Sequence, residues 1–157
     1  MATNHDPVAA FWAEYVAAAG ATGAYTAWGF GDDGKPELMT KLGLLVRDGP
    51  KRATTGLEAD YGDGSEPLPR VGDHSVILDG EGRPLCIIRT TAVEIRPFGA
   101  VDEAFAWDEG ENDRTLAGWR AAHEWYFDTV GTLVDDDTRV VLERFAKVWP
   151  PPPDAAD

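Results

Sequence analysis

Apolar residues recur near the amino terminus at helical spacing, Val8, Phe11, Trp12, Tyr15, Val16 and Ala19, and the pattern stops at Gly20. Asp6-Pro7 stands just before it, a capping side chain followed by a proline at the first helical position, so a first amphipathic helix is predicted. Tyr25 to Phe30 is rich in strand formers and halts at Gly31-Asp32-Asp33-Gly34, a turn signal. Leu38, Leu42, Leu45 and Val46 then return to helical period from Pro36 onward, and Asp48-Gly49-Pro50 ends the run. Arg52 to Leu57 reads as a short Thr-rich strand, and Tyr61 to Gly72 as a surface loop.

His74 to Leu78 and Leu85 to Ile95 are β-branched runs joined by Asp79-Gly80-Glu81-Gly82-Arg83, which predicts an antiparallel hairpin. Val101 to Trp107 supplies a turn or two of helix. Leu116, Trp119, His123, Tyr126 and Phe127 share one face of a longer helix after Asp113, and Arg139 to Trp149 gives a last strand. Roughly six strands with three or four helices predict an α+β domain whose mainly antiparallel sheet closes into a small barrel. The expected layout is an amino-terminal helix over 1–22, one domain over 23–149 and a disordered Pro-rich tail over 150–157.

A length of 157 residues with 43% hydrophobic content suits one sizeable core. MATNHDPVAA lacks the basic and apolar regions of a secretory signal, and no segment approaches the apolar run of about 18 residues that a membrane span needs. Cys86 is the single cysteine, so no intramolecular disulfide forms and a reducing, cytoplasmic setting is expected. The net charge of -14 argues against long duplex DNA as a partner. It either serves solubility alone or leaves room for a local cleft that takes a short RNA segment or a free nucleoside.

Three places could carry chemistry. Gly49-Pro50-Lys51-Arg52-Ala53-Thr54-Thr55 sets a cation and two hydroxyls where a helix end meets a strand. Lys51 is read either as a base, nucleophile or phosphate clamp with Thr54 as its hydrogen-bonding neighbour, or as a solvated lysine at a helix end. In a strictly extended strand the two would point to different faces, so joint access requires a bend. Trp107-Asp108-Glu109-Gly110-Glu111-Asn112-Asp113 holds four carboxylates ahead of the aromatic helix, either as cap and dipole partners or with one acid turned inward as a general acid or base. Trp28 and Phe30 share a strand face as core residues or as stacking platforms, and Arg120 and His123 lie on or beside the late helical stripe. There is no Walker-type glycine loop, no His/Cys metal spacing and no Gly-x-Ser-x-Gly elbow, and neither metal nor cofactor is expected.

Taken in order, these segments resemble the ASCH family. The aromatic strand Trp28-Gly29-Phe30-Gly31-Asp32 precedes Leu44 to Thr54, which is similar to the family's Gly-x-Lys-x-x-Thr element. Leu68 to Asp73 and Pro84 to Glu94 follow, and Phe105 to Leu116 leads into Trp119-Arg120 and His123 as in the family's Glu-Gly-Glu-Gly-Asp and Trp-Arg-x-x-His run. The resemblance implies a PUA-like β-barrel with a cleft beside the lysine motif and a role with RNA. It also implies an amidohydrolase of N4-acetylcytidine type, in which Lys51, Thr54 and Glu109 match the Lys, Thr and Glu set, with Glu111 two residues from the last. A non-catalytic RNA-binding module and a metal-independent ribonuclease are the alternatives. Trp28, Phe30, Arg120 and His123 are the residues expected to hold the ligand. Gly56 stands where the motif often continues with an arginine, which removes a bidentate partner for phosphate and shifts expectation toward a nucleoside.

Overall fold

The computed structural model describes residues 6–31, 35–62 and 67–151. The chain divides into two compact units, Met1–Asp48 with His74–Arg89 and Lys147–Asp157, and Gly49–Asp73 with Thr90–Ala146. Four α-helices and five strands occur among the described residues, in the order α1 Pro7–Ala19, β1 Thr26–Trp28, α2 Pro36–Arg47, β2 Ala53–Leu57, β3 His74–Leu78, β4 Pro84–Pro97, α3 Glu103–Glu109, α4 Leu116–Thr129 and β5 Arg139–Trp149. The strands form one sheet in the order β1-β3-β4-β5-β2, an α+β architecture.

Five strands form where the sequence suggested roughly six, one at each of the five segments read as strand, and Leu85 to Ile95 lies within one continuous strand of 14 residues. The sheet is also mixed. β1 runs parallel to β3, with Thr26 opposite Ser75 and Trp28 opposite Ile77, while β3 with β4 and β2 with β5 are antiparallel. A parallel pair needs a crossover, and α2 and β2 lie in the connection between β1 and β3. His5, residues 32–34 of the expected turn and 152–157 of the Pro-rich tail lie outside the described residues. None of the described helices is long and apolar enough to cross a membrane.

In the first unit Asp6 caps α1, its Oδ1 accepting from Val8 and Ala9 N–H at 3.0 and 3.3 Å. The helix buries Trp12 and Tyr15 against Val76 of β3 and Ile87 of β4, so the periodicity of α1 and the alternation of the hairpin meet in one core. The hairpin turn is organised by Asp79. Its Oδ1 accepts from Glu81 N–H at 2.8 Å and Arg83 N–H at 2.9 Å, and Arg83 Nε reaches Oδ2 at 3.2 Å. In the second unit Ala53 and Leu57 of β2 and Val140 and Leu142 of β5 pack with Phe98, Phe105, Trp119 and Phe127. Thr115 caps α4 by accepting from Gly118 N–H at 3.0 Å, which fixes the rotation of the helix and sends Trp119 and Phe127 inward.

Because Asp79 is buried and holds two backbone amides, Asp79→Ala leaves both unsatisfied, and urea denaturation should show a loss of about 2 kcal/mol. Asp79→Asn, which keeps an accepting oxygen, should lose less than half of that. Equal losses would mean that the turn is held by its glycines rather than by the side chain.

Candidate functional site

The site is built within the second unit where the chain enters β2. Arg52 N–H donates to Asp108 O at 2.7 Å and Phe145 N–H donates to Arg52 O at 3.0 Å, which pins the backbone beside Lys51 between α3 and β5. Gly110 ends α3 with φ +68°, and a Cβ there would lie 2.7 Å from Lys51 N and 2.8 Å from Lys51 Cα. Glycine is therefore required twice over, for the left-handed turn and for the approach of the lysine backbone.

Lys51 is 1% exposed, a burial its ammonium tolerates only because acceptors surround it. Nζ donates to Ala53 O at 2.7 Å, Glu111 Oε2 at 2.7 Å and Glu109 Oε1 at 3.1 Å, with Glu109 O at 3.5 Å. Glu109, also 1% exposed, gathers more donors on its other oxygen. Oε2 accepts from Trp119 Nε1 at 2.9 Å and from the Thr55 hydroxyl, and His123 Nε2 lies 3.2 Å away. The imidazole stacks on Trp119 with centroids 4.3 Å apart, and its Nδ1 lies 2.8 Å from Trp119 O. A carbonyl and a carboxylate both accept, an arrangement that favours a proton on each ring nitrogen and so the imidazolium form of His123.

The electrostatics follow from this arrangement. Burial pulls the Lys51 ammonium down, but Glu109 and Glu111 more than offset it and the group ends above its ordinary value. Burial likewise pushes Glu109 up, yet Lys51, His123 and the bond from Thr55 hold it well below the usual carboxylate range. Glu111 goes the other way. Burial and the neighbouring Glu109 outweigh Lys51 and raise it, and 22% of its side chain remains accessible. One ammonium thus serves two acids, of which Glu109 is held as the anion and Glu111 has the higher proton affinity.

Of the residues singled out in the sequence, Lys51, Glu109 and His123 come together here. Thr54 is separated from them by the pleat: adjacent strand residues face opposite ways, and Thr55 is the hydroxyl on the side of Glu109. Thr54 instead stands opposite Glu143 of β5. Arg120 pairs with Asp136 at 2.5 Å and Glu124 at 3.8 Å, with its guanidinium 5.0 Å from the Phe98 ring centre. Trp28 and Phe30 belong to the first unit, where their rings meet edge-on at 4.9 Å and Phe30 is buried. Thr55 and Trp119 were not picked out for the site, although the four-residue spacing of Trp119 and His123 already puts them on one helical face.

The family model described as ASCH domain matches residues 26–149, most of the chain. The chain belongs to the ASCH domain family. Two solved structures share the fold of this ASCH domain. The ASCH domain from Lactobacillus crispatus JV V101 is 29% identical over 90% of this chain and 94% of that one, with a TM-score of 0.78. Protein EF3133 from Enterococcus faecalis V583 is 34% identical over 90% of this chain and 87% of that one, also at 0.78. No curated protein matches the sequence. The five-stranded mixed sheet with four helices is the α+β architecture of these ASCH structures, and ASCH is a PUA-like domain.

Two measurements test the electrostatic account. Glu109→Gln leaves Lys51 and His123 buried without their fixed anion and should cost about 3 to 5 kcal/mol in chemical denaturation. Folding raises His123 above its ordinary 6.5, so the stabilisation it brings is complete below 6.5 and is lost as pH climbs through the folded value. The melting temperature of wild type should therefore fall relative to that of His123→Gln across this alkaline step. A constant difference between the two melting curves would show that His123 is neutral in the folded chain.

Proposed function

We propose that this ASCH domain is a hydrolase that cleaves an amide bond of an acylated nucleobase, of the N4-acylcytidine type, working as a cytoplasmic protein on a nucleoside or short single-stranded RNA. The observation that carries the reading is the Lys51 ammonium held between an anionic Glu109 and a part-exposed Glu111 whose proton affinity is raised. Lys51 is protonated there, so its role is electrostatic and not that of a free-amine base or nucleophile.

In this mechanism the substrate carbonyl takes the place of Glu111 on one ammonium proton, and the cation stabilises the oxyanion as it forms. Glu111, released from that contact, removes a proton from the attacking water and delivers it to the leaving exocyclic nitrogen. The C–N bond breaks, giving a carboxylic acid and the free amino group. A carboxylate whose proton affinity is raised toward the working pH is suited to both transfers. Glu109 is a positioning residue: Thr55, Trp119 and His123 fix it, and it fixes Lys51.

The test is turnover of N4-acetylcytidine followed by chromatography of cytidine. Glu111→Gln should lower kcat at least about 100-fold without lowering the melting temperature, since its side chain is partly solvated. Lys51→Met should abolish turnover, and where that variant does not fold, Glu111→Gln decides. Failure of wild type to release cytidine, or undiminished release by Glu111→Gln, overturns the hydrolase reading. Salt-sensitive RNA binding without turnover would identify the non-catalytic alternative.

A further inference from the structure

Glu111 is the acid that the proposed reaction moves, yet burial does not place it, since 22% of its side chain is accessible. Its carboxyl reaches Lys51 Nζ at 2.7 Å from the link between α3 and α4, Gly110 to Thr115. The backbone of that link turns into the left-handed region three times, at Gly110 with φ +68°, Asn112 with φ +53° and Arg114 with φ +63°. Glycine and asparagine adopt that region readily, and arginine does not. A glycine at position 114 would relieve the backbone, so the reason for an arginine there lies in its side chain.

That side chain folds back over α3. The guanidinium carbon of Arg114 lies 3.5 Å from the centre of the Trp107 ring, and Nε–H donates to Trp107 O at 3.0 Å. Its backbone N–H donates to Glu111 O at 3.1 Å, which closes the turn from Glu111 to Arg114. Trp107 is 56% exposed, while α3 buries Phe105, Ala106 and Glu109, so the indole is no part of the core and serves as the seat of the guanidinium.

Neither helix end needs this contact. Gly110 N–H already donates to Trp107 O at 3.1 Å, and Thr115 caps α4 with its own hydroxyl held by Asp113 Oδ1 at 2.7 Å. Among the described residues Arg114 forms no ion pair, although Asp108, Glu111 and Asp113 stand within six residues of it. A guanidinium paired with Glu111 would draw that carboxyl off Lys51, whereas one seated on an indole leaves it there.

We propose that Arg114, seated on Trp107, is a positioning residue that holds the Glu111 carboxyl against the Lys51 ammonium. Gly110 fixes the start of the link on α3 and Thr115 its end on α4. The strap from Arg114 to Trp107 fixes the segment between them, and with it the direction in which the Glu111 side chain leaves the backbone. As a contribution to turnover this rests on the hydrolase reading; as a placement of Glu111 it does not.

The nitrogen resonance of the Lys51 ammonium, read by NMR near neutral pH, reports the contact, because Glu111 is one of its acceptors. Glu111→Gln replaces that carboxylate by an amide, and the displacement it causes sets the scale. Arg114→Ala and Trp107→Leu should each move the signal by at least about half as much, and Trp107→Phe, which keeps an aromatic face, by less than about a quarter. Under the hydrolase reading, Arg114→Ala should also lower kcat for N4-acetylcytidine about tenfold with KM within about threefold, and should add less than about twofold in a Glu111→Gln background. Circular dichroism establishes that each variant is folded, and Trp107→Leu, a change at an exposed ring, decides if Arg114→Ala is not. A Lys51 signal left in place by Glu111→Gln, by Arg114→Ala or by Trp107→Leu, or moved as far by Trp107→Phe as by Trp107→Leu, overturns the proposal, as do fully additive losses of kcat in the double variant. If wild type does not turn over, the hydrolase reading fails and the Lys51 signal still decides the placement of Glu111.

Discussion

The second unit is arranged around one buried cation. Lys51, almost wholly withdrawn from water, would be prohibitive as a lone charge, so the structure around it is a set of answers to where its protons go. Glu109 supplies the permanent negative charge, but a buried carboxylate raises the same difficulty again. It is met by Thr55, Trp119 and His123, three side chains drawn from β2 and α4. The result links the entry to β2, the end of α3 and one face of α4 through a single charge network, with Gly110 admitting the lysine backbone. Removing any one charge exposes the others, which is why the network should respond to substitution as a unit.

Glu111 is what distinguishes this network from a merely structural ion pair. A pair needs one acid, and Glu109 already fills that place with both of its oxygens accepting from donors. The second acid lies on the accessible side and has raised proton affinity, features that add nothing to stability near neutral pH, since its ionisation in the folded chain is disfavoured. Structure held against its own electrostatic preference is characteristic of functional sites, although structural networks also perturb carboxylates. The proposed hydrolase reading uses that feature and gives Glu109 and Glu111 different tasks.

Much of the fold was legible because local signals agreed with one another. Asp6-Pro7 announced α1, the Asp79 to Arg83 turn announced the hairpin, and the Leu116 to Phe127 stripe announced α4. The parallel placement of β1 was not visible, since strand pairing across a long connection leaves no mark in a three-residue strand. The charged members of the candidate site, Lys51, Glu109 and Glu111, were singled out through the resemblance to the ASCH family, since charge at a helix or strand boundary fits a solvated lysine or a helix cap equally well. The hydroxyl was not: Thr54 and Thr55 are chemically alike, and only the register of β2 against β5 determines which of them turns toward Glu109. Trp119 was hidden for a different reason, since an indole that packs and donates at once is indistinguishable in sequence from one that only packs.

Charge limits what the candidate site can take. The chain carries 28 acidic against 14 basic residues, so its long-range field repels polyanions. Local cations could overcome this, as phosphate-binding surfaces do, but those of the site are committed: Lys51 is engaged by two carboxylates and His123 by one. The one contact open to exchange is that of Lys51 with the part-exposed Glu111, which the proposed mechanism gives to a carbonyl, whereas giving up the buried Glu109 would cost several kcal/mol. Under the proposed hydrolase reading, binding energy must therefore come from hydrogen bonds and packing against an uncharged group. On that ground a nucleoside-sized substrate, recognised by the edge of its base, suits this ASCH domain better than a strand recognised by its backbone.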